Sequence, residues 1–157
     1  MNMGREKVEV VRELFERLNE IEFARLREAL AACSSFSEAN ALLGDLGRWQ
    51  EQRVNPEVEI DAARLPTLPQ GNLIRGREGW FEFWRSWLTV WESFEYTPRR
   101  WLERGDRIAV ESEQRGRLAN GIEYATKICN VWTFEGEQVI RLQMFEAWEE
   151  AIRAADE

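Results

Sequence analysis

The stretch that decides the fold is Arg107–Phe134, RIAVESEQRGRLANGIEYATKICNVWTF. Apolar and polar side chains alternate through it with a period of two, which is typical of β-strands. Asn120-Gly121 separates its two alternating halves, and this dipeptide is the strongest short signal for a tight hairpin turn. The stretch therefore predicts two antiparallel strands, Arg107–Leu118 and Ile122–Phe134.

The same alternation continues on both sides of this hairpin. Phe94–Glu103 and Gln138–Ala147 also have a period of two, and glycine-containing turns separate them from the hairpin. Consecutive hairpins predict an antiparallel meander of four strands. Val54–Asp61 alternates in the same way earlier in the chain, so it predicts a further short strand.

Helical periodicity precedes and follows the predicted sheet. Apolar residues recur at three- and four-residue steps over about Arg5–Ala32, which predicts one long helix. A second helix is expected near Glu38–Trp49, where Ser35 and Glu38 have capping-box spacing. A tryptophan-rich helix is expected over Gly79–Trp91, and a short helix over Trp148–Ala155 ends the chain. This order of elements predicts an α+β fold.

The tryptophan-rich helix has two interpretations. Trp80, Trp84, Trp87 and Trp91 fall within about 60° of one another on a helix. Such a stripe is either core packed on the sheet or the roof of a cavity, and both can hold along one helix. The proline-rich run Ala62–Gly76 precedes it and predicts a loop long enough to cover a pocket.

The charge of the chain limits its partners. The net charge is −8 at neutral pH, and no basic stripe interrupts the acidic composition. Because an acidic surface repels phosphate groups, we expect neither nucleic acid nor an anionic membrane as a partner. No run reaches the roughly 20 apolar residues that a membrane-spanning helix needs.

The residue types that are scarce limit the chemistry. The 157 residues include no histidine, which excludes histidine bases, Ser-His triads and histidine metal sites. Cys33 and Cys129 are far apart and match no disulfide or metal pattern, so we expect a reducing cytoplasm. Neither a Gly-rich phosphate loop nor a metal-ligand cluster is present, and we predict no cofactor.

Three phrases occur in an order that resembles a known family. They are NPEVEID (55–61), IRGREGWFEFW (74–84) and NVWTFEGEQVIRLQMFE (130–146). They resemble the SnoaL-like branch of the nuclear-transport-factor-2-like superfamily, which is also similar to ketosteroid isomerases and limonene epoxide hydrolases. The resemblance runs from about Val8 to Ala155 and implies one domain over residues 5–155. It implies a cone: N-terminal helices packed on a curved antiparallel sheet that encloses a pocket.

The resemblance implies two catalytic residues. By position, Asp61 is similar to the general base of ketosteroid isomerases, and Asn130 matches the acid of their oxyanion hole. Asn130 could still donate a hydrogen bond to a developing oxyanion. The alternative for Asp61 is a solvated loop side chain. The isomerases' helix tyrosine has no match here, since Phe15 lies nearby, and Tyr124 offers a donor from another wall.

Alternation assigns the side chains of each strand to two faces. On the strand Ile122–Phe134 we expect the face with the large rings and the amide to point into the cone. For the last strand, composition turns Leu142 and Met144 inward, whereas the resemblance turns the opposite face inward, and we follow the resemblance. The predicted ligand-binding residues are Trp80, Trp84, Ser112, Gln114, Tyr124, Trp132, Arg141, Gln143 and Phe145.

These residues favour some reactions over others. The charged Asp-Arg-Asp set of limonene epoxide hydrolases corresponds to Ser112, Gln114 and Gln143, which are uncharged and argue against that reaction. Arg141 could bind an enolate or carboxylate, or it could form a salt bridge with Glu146 or another acid. We expect a cofactor-independent cyclase, isomerase or dehydratase acting on an apolar polyketide-, terpenoid- or steroid-like compound. The alternative is a non-catalytic ligand-binding or dimerisation module.

The face assignment also predicts an assembly. If Arg141 points inward, the outer face carries Cys129, Val131, Ile140, Leu142 and Met144. Those side chains would expose roughly several hundred Å² of apolar surface, more than a monomer usually tolerates. We therefore expect a homodimer through the outer face of the sheet.

Overall fold

A computed structural model describes residues 6–62 and 73–157 of the chain. The helices are α1 (Lys7–Glu20), α2 (Phe23–Ala32), α3 (Phe36–Leu42), α4 (Gly44–Arg53), α5 (Gly76–Leu88) and α6 (Trp148–Asp156). The strands are β1 (Val54–Asp61), β2 (Leu73–Arg75), β3 (Trp91–Arg104), β4 (Arg107–Leu118), β5 (Glu123–Glu135) and β6 (Gln138–Phe145). The α+β prediction is confirmed.

Each of the two helices predicted before β1 is a pair of shorter helices. The first breaks between α1 and α2, where Ile21 and Glu22 have extended backbone angles. The second breaks between α3 and α4 at Gly44, whose φ of 58° favours glycine. The predicted cap is confirmed, because the Ser35 hydroxyl accepts a hydrogen bond from the backbone N–H of Glu38 at 3.2 Å. The breaks let every short helix turn its apolar side to one core.

The sheet has six strands in the order β2-β1-β6-β5-β4-β3. The four-strand meander from β3 to β6 is antiparallel as predicted. The sheet as a whole is mixed, however, because β1 runs parallel to β6. The tight turn at Asn120-Gly121 is confirmed: Gly121 has a φ of 90°, and the Asn120 side chain accepts from the N–H of Ile122 at 3.0 Å.

The tryptophan-rich helix begins and ends three residues earlier than predicted, at Gly76 and Leu88. At its C-terminal end, the Thr89 hydroxyl donates to the Arg85 carbonyl at 2.6 Å. Trp91 therefore belongs to β3, where its ring packs over Gly116 of the neighbouring strand. Trp80 is only 2% exposed and lies in the core, as the core interpretation of the stripe predicts.

The two faces of the sheet are covered by different helices. The inner face packs against α1 to α5, and its buried residues include Tyr96, Ile108, Val110, Ile128, Trp132, Phe134, Leu142 and Met144. The outer face of β4 to β6 packs against α6, and its buried residues are Ala109, Cys129, Val131 and Phe145 with Ala151, Ala154 and Ala155. The C-terminal helix thus closes a second, smaller core.

The run that was expected to cover the pocket lies mostly outside the described residues. Only its ends are described: Ala62 is buried, and β2 pairs antiparallel with β1 through Asp61 and Leu73. The strand β2 was not predicted. Among the described residues, no helix has the length and apolarity required to cross a membrane.

Candidate functional site

A cavity of about 540 Å³ lies between α5 and the inner face of the sheet. Aromatic side chains from α5 and β3 form one wall, and β4, β5 and the end of β6 form the other. The described residues that line it are Phe83, Trp84, Trp87, Tyr96, Gln114, Tyr124, Thr126, Lys127, Ile128, Met144 and Glu146. We call this space the outer chamber.

Two polar side chains are buried on β4 where it passes this chamber. Gln114 is 2% exposed and lines the outer chamber, and Ser112 is fully buried two residues before it. Neither the Gln114 Oε1 atom nor the Ser112 Oγ atom has a hydrogen-bond partner among residues 6–62 and 73–157. Because an unpaired buried polar atom costs free energy, a side chain like Gln114 is expected where a ligand binds. The structure confirms that β4 turns these residues into the cone.

A second, smaller space lies deeper, between the N-terminal helices and the sheet. It has a volume of about 60 Å³ and is lined mainly by leucines of α1 to α4. Asn130 and Trp132 line it from β5, so their predicted inward orientation is confirmed. Trp80 lines it from α5, but its indole N–H already donates to Gln50 at 2.8 Å. We call this space the deep chamber.

Tyr96 lines both chambers, although sequence reasoning did not select it. Its ring packs edge-on against Phe15 of α1, with 5.7 Å between centroids, close to where the isomerase resemblance implied a tyrosine. Burial raises the pKa of Tyr96, and hydrogen bonding to Trp87 lowers it by less. The phenol is therefore neutral at pH 7 and can donate a hydrogen bond. Alternation with Phe94 on β3 could have identified it.

The predicted orientation of β6 is wrong. Leu142 and Met144 belong to the inner core, whereas Phe145 packs in the outer core against α6. Arg141 and Gln143 share the side of Phe145 and line an outer groove of about 600 Å³. Leu142 and Met144 face the larger core because most apolar contacts are available there, so the prediction from composition was the correct one.

Asp61 also lies on the outer side of the sheet, contrary to its predicted place at the pocket mouth. In β1 the buried residues Val58 and Ile60 face the inner core, and Asp61 lies in register with Gln143 of β6. Its carboxylate accepts a hydrogen bond from the Arg141 Nη2 atom at 3.5 Å. Asp61 and Arg141 therefore form an ion pair in the outer groove and do not line either chamber.

The apolar patch that predicted a homodimer is not on the surface. Cys129 and Val131 are covered by α6, and Leu142 and Met144 lie in the inner core. The prediction of a dimer rested on an exposed apolar patch on this face, and that premise is wrong. The patch is closed by the chain's own last helix.

The outer face of β4 also carries a buried carboxylate. Glu111 is buried and accepts from the Arg100 Nε atom at 3.1 Å. Its other carboxylate oxygen lies 3.9 Å from the Cys129 sulfur. Burial, helped by the Glu111 charge, raises the pKa of Cys129 to about 12. This thiol is buried and protonated, so it is a poor nucleophile.

One carboxylate remains beside the outer chamber. Among the described residues that line the chamber, Glu146 is the only Asp or Glu, and Lys127 is the only cation. Glu146 follows the last residue of β6 and is exposed at the rim. The residues outside the described ranges, 1–5 and 63–72, contain no Asp or Glu. Any carboxylate chemistry in this chamber therefore falls to Glu146.

The family of the chain follows from a sequence comparison. Residues 44–142 match the SnoaL-like domain, and this range covers more than half of the chain. The chain therefore belongs to the SnoaL-like family, as its three phrases predicted. The prediction that one such domain extends over residues 5–155 goes beyond the matched range and stays a prediction. A search of curated protein sequences finds no match.

Solved structures share the fold at low sequence identity. An NTF2-like protein of unknown function from Burkholderia pseudomallei K96243 is 20% identical, with 96% of this chain and 97% of that chain covered and a TM-score of 0.64. TerC, co-crystallised with polyporic acid, is 14% identical over 96% and 98% of the two chains, with a TM-score of 0.63. A candidate SnoaL-like polyketide cyclase from Jannaschia sp. CCS1 is 15% identical over 98% and 96%, with a TM-score of 0.62. These similarities establish the cone-shaped fold.

Proposed function

We propose that this protein binds an apolar, oxygenated small molecule in the outer chamber. The observation that carries the proposal is Gln114, a buried amide whose oxygen lacks a partner among the described residues and which lines an aromatic cavity. An apolar core gains nothing from such a side chain, since burying an unpaired amide is unfavourable. A ligand hydroxyl or carbonyl could use the amide as acceptor or donor.

The rest of the chamber suits the same class of ligand. Its volume of about 540 Å³ falls within the roughly 300–1,000 Å³ of small-molecule pockets. Trp84 and Trp87 supply flat apolar surface, while Thr126 and Tyr124 add hydroxyl groups. Ring compounds with few oxygen atoms, such as polyketide-, terpenoid- or steroid-like molecules, match this combination.

The comparisons support a ligand of this kind. TerC was crystallised with polyporic acid, and IdmH from Streptomyces antibioticus is a candidate polyketide cyclase. Both share the fold of this chain at low identity, so they support the class of ligand and not its identity.

The binding proposal is tested with 2-naphthol, a small aromatic probe that carries one hydroxyl group. Trp84 and Trp87 lie in the chamber wall, so we expect saturable quenching of tryptophan fluorescence. Gln114→Leu should weaken binding about tenfold, since the probe hydroxyl loses its partner. Gln143→Leu is the matched control, because Gln143 lies in the outer groove. Failure of 2-naphthol and a panel of larger phenols to bind, or equal losses in both variants, would overturn the proposal.

A second candidate function, favoured by Glu146, is acid–base catalysis without a cofactor. The carboxylate lies at the rim of the chamber and could remove a proton next to a ligand carbonyl. Tyr96 and Asn130 offer donors for the enolate oxygen that forms, and burial keeps the Tyr96 phenol protonated. Cyclase, isomerase and dehydratase reactions all use such a step. The competing interpretation is a binding module without turnover.

The two candidates are separated by hydrogen exchange in a model ketone. Deuterium incorporation from D₂O at the α-carbon of 2-tetralone is followed by NMR. Catalysis requires a saturable rate increase that Glu146→Gln removes. The control Glu135→Gln, at the exposed end of β5, should retain it. Binding of 2-tetralone without any rate increase would favour the binding module.

A further inference from the structure

We infer that Trp84 sets the length of the apolar tail that the ligand can carry. The inference rests on the proposed binding in the outer chamber and specifies the ligand class. The ligand is an amphiphile: its oxygenated ring lies beside Gln114, and a short hydrocarbon tail points toward the deep chamber. Among the described residues, only Trp84 and Tyr96 line both chambers, so these two rings form the wall between them.

The two chambers differ in polarity, and this difference orients the ligand. The outer chamber carries Gln114, Thr126, Lys127 and Glu146 on its walls. The deep chamber is bordered mainly by hydrocarbon, from Leu14, Leu18, Leu26, Leu30, Leu43 and Leu46. Because a buried polar group without a partner is costly, the oxygen atoms of a ligand should stay in the outer chamber.

Most polar atoms of the deep chamber are already occupied. The Gln50 amide accepts from the Trp80 indole N–H at 2.8 Å and donates to the Asn40 side-chain oxygen at 2.8 Å. Asn40 in turn donates to Glu51 at 3.2 Å. Two polar side chains on β5 are still able to contact a ligand: the Asn130 amide and Trp132, whose buried indole N–H has no partner among the described residues. Apart from these two groups the described lining is mostly hydrocarbon, so the deep chamber suits an alkyl tail better than a second oxygenated ring.

The wall is built from rings that the core holds in place. Trp84 packs edge-on against Trp80 and Phe83, with centroid separations of 6.0 and 5.1 Å. Tyr96 is fixed by Phe15, and its carbonyl accepts from the Asn19 amide at 2.9 Å. Trp84 belongs to α5, whereas Gln114 belongs to β4 of the sheet. Replacing Trp84 with a smaller residue should therefore open the wall without moving Gln114.

The volume of the deep chamber shows how little of a tail fits behind Trp84. At about 60 Å³, it is well below the roughly 150 Å³ in which an engineered apolar cavity takes one benzene molecule. It can therefore receive a short alkyl group but no ring. Each methylene that becomes buried should tighten binding about fourfold.

The experiment measures the affinity of a homologous series, from 4-methylphenol to 4-octylphenol, by titration calorimetry. In the wild type, affinity should rise over the first few carbons of the alkyl tail. Further carbons should add no affinity. In Trp84→Ala the rise should continue for at least two more methylenes, a gain of about 16-fold for the longest probes. Trp84→Phe should lie between them, and Trp148→Ala, which removes an indole beside the outer core, should match the wild type.

A second variant tests the deep chamber without changing the wall of Trp84 and Tyr96. Ala39 is buried and lines the deep chamber, so Ala39→Val should fill part of it. The longest tail that still improves affinity should then become shorter, while 4-methylphenol binds as before. Thermal unfolding of every variant identifies those that are folded at the titration temperature.

The outcomes separate this inference from the proposed function. If no 4-alkylphenol binds the wild type, or if binding ignores Gln114→Leu, the proposed function fails. A second outcome is that binding depends on Gln114 while the longest tail that still improves affinity is the same in the wild type, Trp84→Phe and Ala39→Val. In that case the inference about Trp84 is wrong. A shifted limit in both variants, in opposite directions, supports it.

Discussion

Replacing Gln114 with leucine should make the protein more stable and a poorer binder at the same time. Gln114 is 2% exposed, and its Oε1 atom has no hydrogen-bond partner in the described part of the chain. A buried polar atom without a partner costs about 1–3 kcal/mol. Leucine removes that cost, because it replaces the amide with an apolar side chain of similar volume.

The expected gain in the free energy of unfolding is about 1 kcal/mol, since some of the cost is relieved by relaxation in the native protein. For a chain of this length, 1 kcal/mol corresponds to a rise in melting temperature of about 2–4 °C. Binding of 2-naphthol should weaken about tenfold, equivalent to about 1.4 kcal/mol. Opposite signs for stability and binding are the signature of a side chain kept for its ligand.

The assay combines urea unfolding without ligand and fluorescence titration with 2-naphthol, on the wild type and two variants. Gln143→Leu is the control, because it makes the same chemical change in the outer groove. We expect it to alter neither quantity by more than about 0.5 kcal/mol. A loss of stability above about 1 kcal/mol in Gln114→Leu, with unchanged binding, would mean that the amide is structural and would refute the reasoning.

Three further predictions follow from the geometry. Asp61→Asn should leave 2-naphthol affinity unchanged by titration, because this carboxylate lies on the outer side of the sheet. Gly116→Ala should lower the free energy of unfolding by about 1–3 kcal/mol, since a Cβ atom there would lie 2.5 Å from the Ser93 carbonyl oxygen and 2.6 Å from the Trp91 ring; an unchanged urea midpoint would contradict this. Burial raises the pKa of Tyr96, so the stability that its neutral phenol contributes is complete below about pH 10 and is lost above it. Between pH 10 and 11, unfolding measurements should show the wild type losing up to about 1.4 kcal/mol more than Tyr96→Phe.

Local pattern was sufficient to predict every described strand except β2, together with the turns of the meander. Period-two alternation and the Asn120-Gly121 turn predicted the β4–β5 hairpin. The alternation of side chains between the two faces of each strand also predicted that Gln114 and Asn130 lie on the inner face. These features are local, because each strand needs only its own alternation and an adjacent turn. The family match also agrees with the phrases around β1 and β6.

The errors arose where a distant element decides the outcome. Alternation divides β6 into two faces but does not say which one is inner, and both faces are buried once α6 covers the outer side. The helix Trp148–Asp156 was predicted, but its packing site was not, so the apolar outer residues suggested a dimer. The parallel pairing of β1 with β6 placed Asp61 beside Gln143, and no local pattern encodes that contact.

The central claim is that the ligand site is the outer chamber inside the cone. The most direct test is a crystal structure of the protein soaked with 4-ethylphenol. We predict that the phenol ring lies between Trp84 and Trp87, with its hydroxyl within hydrogen-bond distance of Gln114 and its ethyl group toward Tyr96. A ligand bound instead in the outer groove beside Arg141, with the outer chamber free of it, would contradict the account.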